Sequence, residues 1–294
     1  MATDGSSNER LVEQMEKIVL KRIEADQLIL PSLPAVAAKC LALIKTPDFS
    51  LKDAASIIEK DPILTAQILK LANSAAMSGR EPIKSVLHTV TRLGVQKLKT
   101  FLMDVSVRKV FESRDGRIAE ASRGLWEHSQ AVALLARDVV TFSNSGDPDV
   151  GYLGGLLHDI GKPVVAAMLL EAEKAILGAK ASATWIDGEQ WVGVIQRCHR
   201  AVGVRLAVKW EMPESVAQCI QDCNEYNNGD RVSVGNAVRF ANALAKQVGI
   251  YVGDVDKDDV QALVMIGRSM LNLDDQMVGR LCANIKGSVR DMRA

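Results

Sequence analysis

The sequence predicts an all-α fold, a multi-helix bundle in two lobes with extra helices at its C-terminal end. Apolar residues recur at helical spacing in almost every segment, and no stretch alternates as a half-buried strand does. Strong helix formers fill the regular stretches, while aromatic residues make up only 4% of the chain. Short breaks rich in Pro, Gly and Ser separate the segments, and no fixed-period repeat points to a solenoid.

The first helix is predicted from about Asn8 to Ala25, with Leu11, Met15, Ile18, Val19 and Ile23 as its apolar stripe. Leu30-Pro31-Ser32-Leu33-Pro34 then breaks it, because each proline removes a donor and holds the backbone extended. Pro34 opens a second helix carrying Val36, Cys40, Leu41 and Ile44. Ser50 and Asp53, three apart, make a capping-box-like start for Leu51 to Glu59. Asp61-Pro62 joins an N-cap to the residue best suited to N1 and launches Ile63 to about Ala75; Gly79 ends that unit. Ile83 to Leu93 and Val95 to Phe111 form a helix pair joined through Gly94, and the charged loop Glu112 to Gly116 divides the two halves.

The second half opens on a long helix, about Arg117 to Phe142, and the loop from Ser143 to Pro148 contains the next helix start. Further helices are predicted at about Pro163 to Ala179, Asp187 to Trp210, Pro213 to Cys223, Val232 to Val248, Lys257 to Leu271 and Asp274 to Val289.

Charge removes two classes of partner. Lys plus Arg equals Asp plus Glu at 36 each, so no net field draws the chain to nucleic acid or an anionic bilayer. The local cluster Lys97, Lys99, Arg108 and Lys109, with Lys84 and Arg92, reads as a solvated face. The five cysteines, Cys40, Cys198, Cys219, Cys223 and Cys282, form no CxxC unit, which suits reduced thiols. Cys219 and Cys223 share a helical face but have no histidine at zinc spacing, so they read as core residues. The first seventeen residues are polar and acidic, unlike a signal peptide, and the richest apolar stretch, Val150 to Leu170, carries His158, Asp159 and Lys162. No membrane span is expected, and the chain reads as cytoplasmic.

The chemistry concentrates in Gly151-Tyr-Leu-Gly-Gly-Leu-Leu-His158-Asp159-Ile160-Gly161-Lys162-Pro163. An adjacent imidazole and carboxylate can both reach one divalent cation, and Gly161 would let the chain turn away from it. The plainer reading is a helix end with a hydrogen-bonded His–Asp pair. His128 has apolar neighbours at Leu125 and Val132, so its ring is expected to point inward. His199 precedes Gly203 by four residues, and His88, the last of the four histidines, stands in the first half.

His128 followed by His158-Asp159-Ile160-Gly161-Lys162 resembles the start of the HD superfamily of metal-dependent phosphohydrolases, in its HD-GYP-like branch. Leu30-Pro-Ser-Leu-Pro-Ala, Ile57-Ile-Glu-Lys-Asp61-Pro62, Leu69-Lys-Leu-Ala-Asn73-Ser74 and Ser85-Val-Leu-His-Thr-Val-Thr-Arg-Leu-Gly94 resemble the HDOD domain more specifically. The resemblance covers about Leu28 to Val248. It implies an HDOD domain at 28–248 with lobes at about 28–111 and 117–248, which leaves an N-terminal helix at 1–27 before it and a helical extension at 249–294 after it. HDOD proteins are regarded as non-catalytic relatives at work in bacterial signal transduction, so the resemblance implies a regulatory role.

Departures from the catalytic branch agree with that role. His199-Arg-Ala-Val-Gly203 is present, but the His-His pair that should follow is replaced by Asp222-Cys223-Asn224-Glu225. The closing aspartate falls at Asn242, and no Gly-Tyr-Pro motif follows. Two-metal hydrolysis needs enough charged donors to hold both cations and activate a water. His128, His158 and Asp159 include one anion, so no resident cofactor is expected, although such a set keeps the capacity for a single divalent metal. Lys162 either stands near a bound phosphate as a point charge or caps the preceding helix. The remnant pocket thus comprises His128, His158, Asp159, Lys162, His199 and Asn242. The leading expectation is an interaction or sensory module with signalling proteins as partners, followed by the same module binding a nucleotide or small anion without turnover. The alternative is an HD-type phosphohydrolase acting on a nucleotide or cyclic dinucleotide.

Overall fold

The computed structural model describes residues 13, 16–22, 25, 30–73, 83–177, 188–223 and 225–293. Their helices are α1 (Ala35–Ile44), α2 (Leu51–Ile58), α3 (Pro62–Ala72), α4 (Val86–Phe111), α5 (Gly116–Ser143) and α6 (Pro148–Leu157). They continue as α7 (Gly161–Leu177), α8 (Gly188–Lys209), α9 (Glu214–Gln221), α10 (Val234–Gln247), α11 (Lys257–Met270) and α12 (Asp275–Arg293). No strand occurs among the described residues, as the all-α expectation requires. Of the first predicted helix, residues 16–22 are helical and most of the remainder, like Gly79, lies outside the described residues.

The chain divides into two compact units, Ser32–Lys109 and Met1–Pro31 with Val110–Ala294. In the smaller unit, Cys40 and Ile44 of α1, Ala54 and Ile58 of α2, Leu64 and Ile68 of α3 and Val90, Leu98 and Leu102 of α4 build one core. Caps set its corners. Ser50 Oγ accepts from the Asp53 amide at 3.1 Å and donates to Asp53 Oδ2 at 2.7 Å, so the carboxylate bonds the hydroxyl. Asp61 Oδ1 accepts from the amides of Ile63 and Leu64. Asn73 explains one family motif: its side chain donates to the carbonyls of Leu69 and Ile83 and accepts from the Ile83 amide, which fixes where the chain re-enters before α4. Gly94 kinks α4 at φ 74°, ψ 172°, a conformation that a Cβ disfavours.

The larger unit is built around α5, whose Ala131, Val132, Leu135, Ala136, Val139 and Val140 are all buried. Val238, Phe240, Ala241 and Leu244 of α10 pack in the same core, and so do Val264, Leu271, Leu273, Leu281 and Ile285. The two last helices, which read as an extension in the sequence, are therefore structural members of this core. The Leu30-Pro31 strap is tied to the end of α8, where Lys209 Nζ donates to the Leu30 carbonyl and Trp210 Nε1 to that of Pro31. The segment Pro148–Glu173 has the length and apolarity of a membrane span, but 72% of its richest window is buried inside the fold, as core helices α6 and α7.

Candidate functional site

Five helices of the larger unit deliver the site. His128 lies on α5, His158 caps the C-terminus of α6, Asp159 follows in the turn, Lys162 stands in the first turn of α7, His199 sits on α8 and Asn242 on α10. The sequence assigned all six to one pocket. His128, His158, Asp159 and His199 are buried. His88 is exposed on the smaller unit.

The backbone orients each ring. His128 Nδ1 lies 2.7 Å from the Ile250 carbonyl, His158 Nδ1 2.7 Å from that of Gly155, and His199 Nδ1 3.0 and 2.9 Å from those of Ile195 and Gln196. A carbonyl oxygen only accepts, so each Nδ1 carries a proton, and a ring that is neutral keeps its lone pair at Nε2. Those three Nε2 atoms then converge on one carboxylate. His128 and His158 Nε2 lie 3.9 and 3.3 Å from Asp159 Oδ2, and His199 Nε2 lies 3.7 Å from Oδ1. The donor atoms of His128, His158 and Asp159 all fall within 4.8 Å of one another, and buried His158 Nε2 has no hydrogen-bond partner. Lone pairs facing a carboxylate repel it unless a cation stands between them. The donor set fits a divalent metal, with carbonyls behind the imidazoles as in metal sites generally. Lys162 Nζ supplies the local positive charge, 2.6 Å from Asp159 Oδ2.

Burial pushes His128 down to about 3 and His199 to about 4, so both are neutral at pH 7. Burial alone would raise the Asp159 carboxyl, but the neighbouring His158 and Lys162 hold it well below the usual carboxylate range. The two depressed histidines predict acid lability. Above their ordinary value of 6.5 neither state binds a proton, and below it the unfolded chain takes up protons that the folded one refuses. Stability should therefore fall between pH 6.5 and the folded values, on the order of 1.4 kcal/mol per pH unit for each histidine at the steepest. Urea midpoints of metal-free protein at pH 7 and pH 5 check this; identical midpoints would contradict it.

Gly161 needs a correction. It starts α7 without a left-handed φ, so it does not serve to turn the chain away from an ion. Its task is close approach. A Cβ here would lie inside the van der Waals sphere of the His199 carbonyl oxygen and 2.6 Å from the carbonyl carbon. The missing side chain lets α7 press on α8 and bring His199 to Asp159.

Three residues belong to the pocket that the sequence did not assign to it. Cys223, in the place of the absent histidine pair, is buried, and its Sγ lies 3.5 Å from Asn242 Nδ2. Burial, and next the Asp159 charge, raise its thiol. Arg239 Nη1 donates to the Cys223 carbonyl, and Lys246 feels the charges of Asp159 and Lys162. The available signal was periodicity: 239, 242 and 246 are the polar positions of an otherwise apolar helical stretch.

Comparison with known proteins agrees with the fold. An uncharacterized protein of Treponema pallidum (strain Nichols) is 27% identical over 204 residues, 65% of this chain and 37% of that protein, so the chain spans little more than a third of its relative's length. A crystal structure of a candidate metal-dependent phosphohydrolase from Shewanella amazonensis SB2B matches with a TM-score of 0.71 and 26% identity, covering 96% of this chain and 99% of that one. An HDOD domain protein of unknown function from Geobacter sulfurreducens matches with a TM-score of 0.67 and 22% identity over 96% and 97% of the two chains. The HDOD domain family itself matches residues 30–226, ending short of the Val248 reached by the motif resemblance. With more than half of its length matched, the chain belongs to the HDOD domain family.

Proposed function

We propose that the chain is a non-catalytic regulatory module of bacterial signal transduction, working in the cytoplasm through partner signalling proteins, with a pocket that holds one divalent cation and hydrolyses nothing. The observation that carries this reading is the single carboxylate. His128, His158 and His199 all face Asp159, and the Lys162 ammonium already lies on Oδ2 at 2.6 Å. A second cation would have to share that oxygen against the ammonium's repulsion. It would find the neutral amide of Asn242 where the catalytic relatives place an aspartate. Hydrolysis by two metals needs a cation on either side of an activated water, and these donors suffice for one.

His128, His158, Asp159 and, by a small ring movement, His199 would hold the ion, an imidazole-rich set suited to a transition metal. When bound, the ion supplies a fixed positive charge at the meeting point of α5, α6 and α8. The protein's own residues do the rest: the carbonyls of Ile250, Gly155 and Ile195 hold the rings in the required tautomer. Ile250 lies beyond the matched family region, in the loop before α11, so the C-terminal helices are tied to the pocket through His128. Such a tie gives a regulatory module a route from ligand to surface.

The test is elemental analysis after reconstitution with manganese, iron or zinc, paired with hydrolysis assays on a phosphodiester and a cyclic dinucleotide. One equivalent of metal without turnover is expected. Two equivalents with turnover would favour the phosphohydrolase reading, and failure to take up any of the three metals would remove the cation from the proposal.

A further inference from the structure

Helix α10 carries a polar stripe for which the cation has no use. From Asn236 to Lys246 eight residues are buried, and only Arg239, Asn242 and Lys246 reach solvent. They stand at i, i+3 and i+7, on one face. That face meets the pocket, because Asn242 Nδ2 touches Cys223 Sγ and Arg239 donates to the Cys223 carbonyl.

Two of the three are cations short of a partner. Lys246 makes no side-chain hydrogen bond or ion pair among the described residues, although it is more than half withdrawn from water. Arg239 is held over the Tyr226 ring at 5.3 Å, and the Tyr226 hydroxyl is anchored on the Leu263 carbonyl at 2.8 Å, yet buried Arg239 Nε has no acceptor. Asn242 Oδ1 is likewise buried without a donor. The charges around the stripe do not balance. The one nearby buried carboxylate, Asp159, already bonds Lys162 at 2.6 Å, Glu225 is exposed near Arg239, and Arg200 adds another positive charge next to Arg239. Withdrawing cations from water without an anion is costly, and a pre-positioned guanidinium with a spare N–H is the arrangement that recognises oxyanions.

The geometry points to an anion subsite on α10, in which Arg239, Asn242 and Lys246 bind a phosphate dianion, either free or as the head of a phosphomonoester, beside the His–Asp cluster. The dianion answers both unpaired cations, where a carboxylate would answer one. Arg239 Nε and Lys246 Nζ donate to its oxygens, and Asn242 Oδ1 can accept from a phosphate or sugar hydroxyl. This inference rests on the reading of the pocket as a binding site and names its ligand class. It places the selective contacts on α10, away from the residues that hold the metal.

Calorimetric titration of the full chain, stripped of metal, with inorganic phosphate and separately with adenosine monophosphate tests it. Saturable one-site binding is expected for at least one probe, and the tighter of the two identifies the source of the phosphate. Lys246→Met, in the last turn of α10, should weaken binding at least tenfold with an unchanged circular dichroism spectrum. Arg239→Lys, which keeps the charge and loses the Nε donor, should weaken it several-fold, whereas Lys97→Met, at an exposed lysine of the smaller unit, should change it less than twofold. No binding of either probe, or undiminished affinity in Lys246→Met, would overturn the inference. A chain that takes up one metal but no phosphate defeats the subsite and leaves the proposed function standing; two metals with phosphodiester turnover would defeat the proposed function itself.

Discussion

Gly161→Ala is expected to cost the larger unit more than about 4 kcal/mol, in the range reserved for backbone collisions in a packed core. The added methyl would meet the carbonyl of His199, 2.6 Å from the carbon and 2.9 Å from Cα, and both sides of that contact are main chain. A flexible side chain could rotate away; two helices cannot. Relief requires α7 and α8 to part by an ångström or more, which also carries His199 Nε2 away from Asp159, now 3.7 Å distant. Stability and metal binding should therefore fall together. Gly279→Ala is the matched control, since Gly279 lies within α12, its Cβ would meet nothing within 4 Å, and alanine there should stabilise by about 0.5–1 kcal/mol. Thermal and urea unfolding of both variants decide the matter: a Gly161→Ala protein that melts with the wild type would remove the steric account of this glycine.

That glycine also marks where the sequence stops being readable. Helix starts were legible because their chemistry is local: Ser50, Asp61-Pro62 and Asp147-Pro148 each cap the helix that follows, and Gly94 takes the φ that a permissive residue allows. The grouping of His128, His158, Asp159 and His199 could be read through the family resemblance, because those motifs keep their order and spacing. Gly161 looked like a turn residue because it follows His-Asp, while its real constraint comes from a carbonyl on another helix. No local rule contains that contact. The same holds for the Ile250 carbonyl behind His128, 122 positions away, and for the last two helices, whose apolar faces declare burial without saying against what. Arg239 and Lys246 were missed for a related reason. A charge on a helix reads as solvated unless the rest of that helix is known to be buried, and the burial of eight neighbours turns an ordinary polar stripe into a pocket wall.

Asp159→Asn should separate the two roles of the carboxylate, with a small effect in metal-free protein and a large one in metal-loaded protein. Without metal, Asp159 is a buried anion with three imidazole Nε2 atoms at 3.3, 3.7 and 3.9 Å, kept ionised against its burial by His158 and Lys162. An asparagine amide keeps the shape, removes a charge whose burial is costly and can donate to one of those Nε2 atoms. Lys162, partly exposed at 18%, can turn to water when its partner is gone. A buried ion pair is weak support for a fold, so the chelated variant should unfold within about 1 kcal/mol of the chelated wild type. With metal the difference becomes large. The ion loses its only anionic ligand and keeps a neighbouring ammonium, which should lower affinity at least a hundredfold. At a metal concentration 100 times the wild-type Kd, the wild type should gain about 2.7 kcal/mol by mass action, and the variant less than about 0.5 kcal/mol. Thermal melts of both proteins with chelator and with saturating manganese or zinc measure the four quantities together. Equal stabilisation of the two by metal would show that the carboxylate is no ligand. A loss of several kcal/mol in the chelated variant would instead make the Asp159–Lys162 pair a structural clamp, because only a carboxylate that waits for a cation can be neutralised cheaply in its absence.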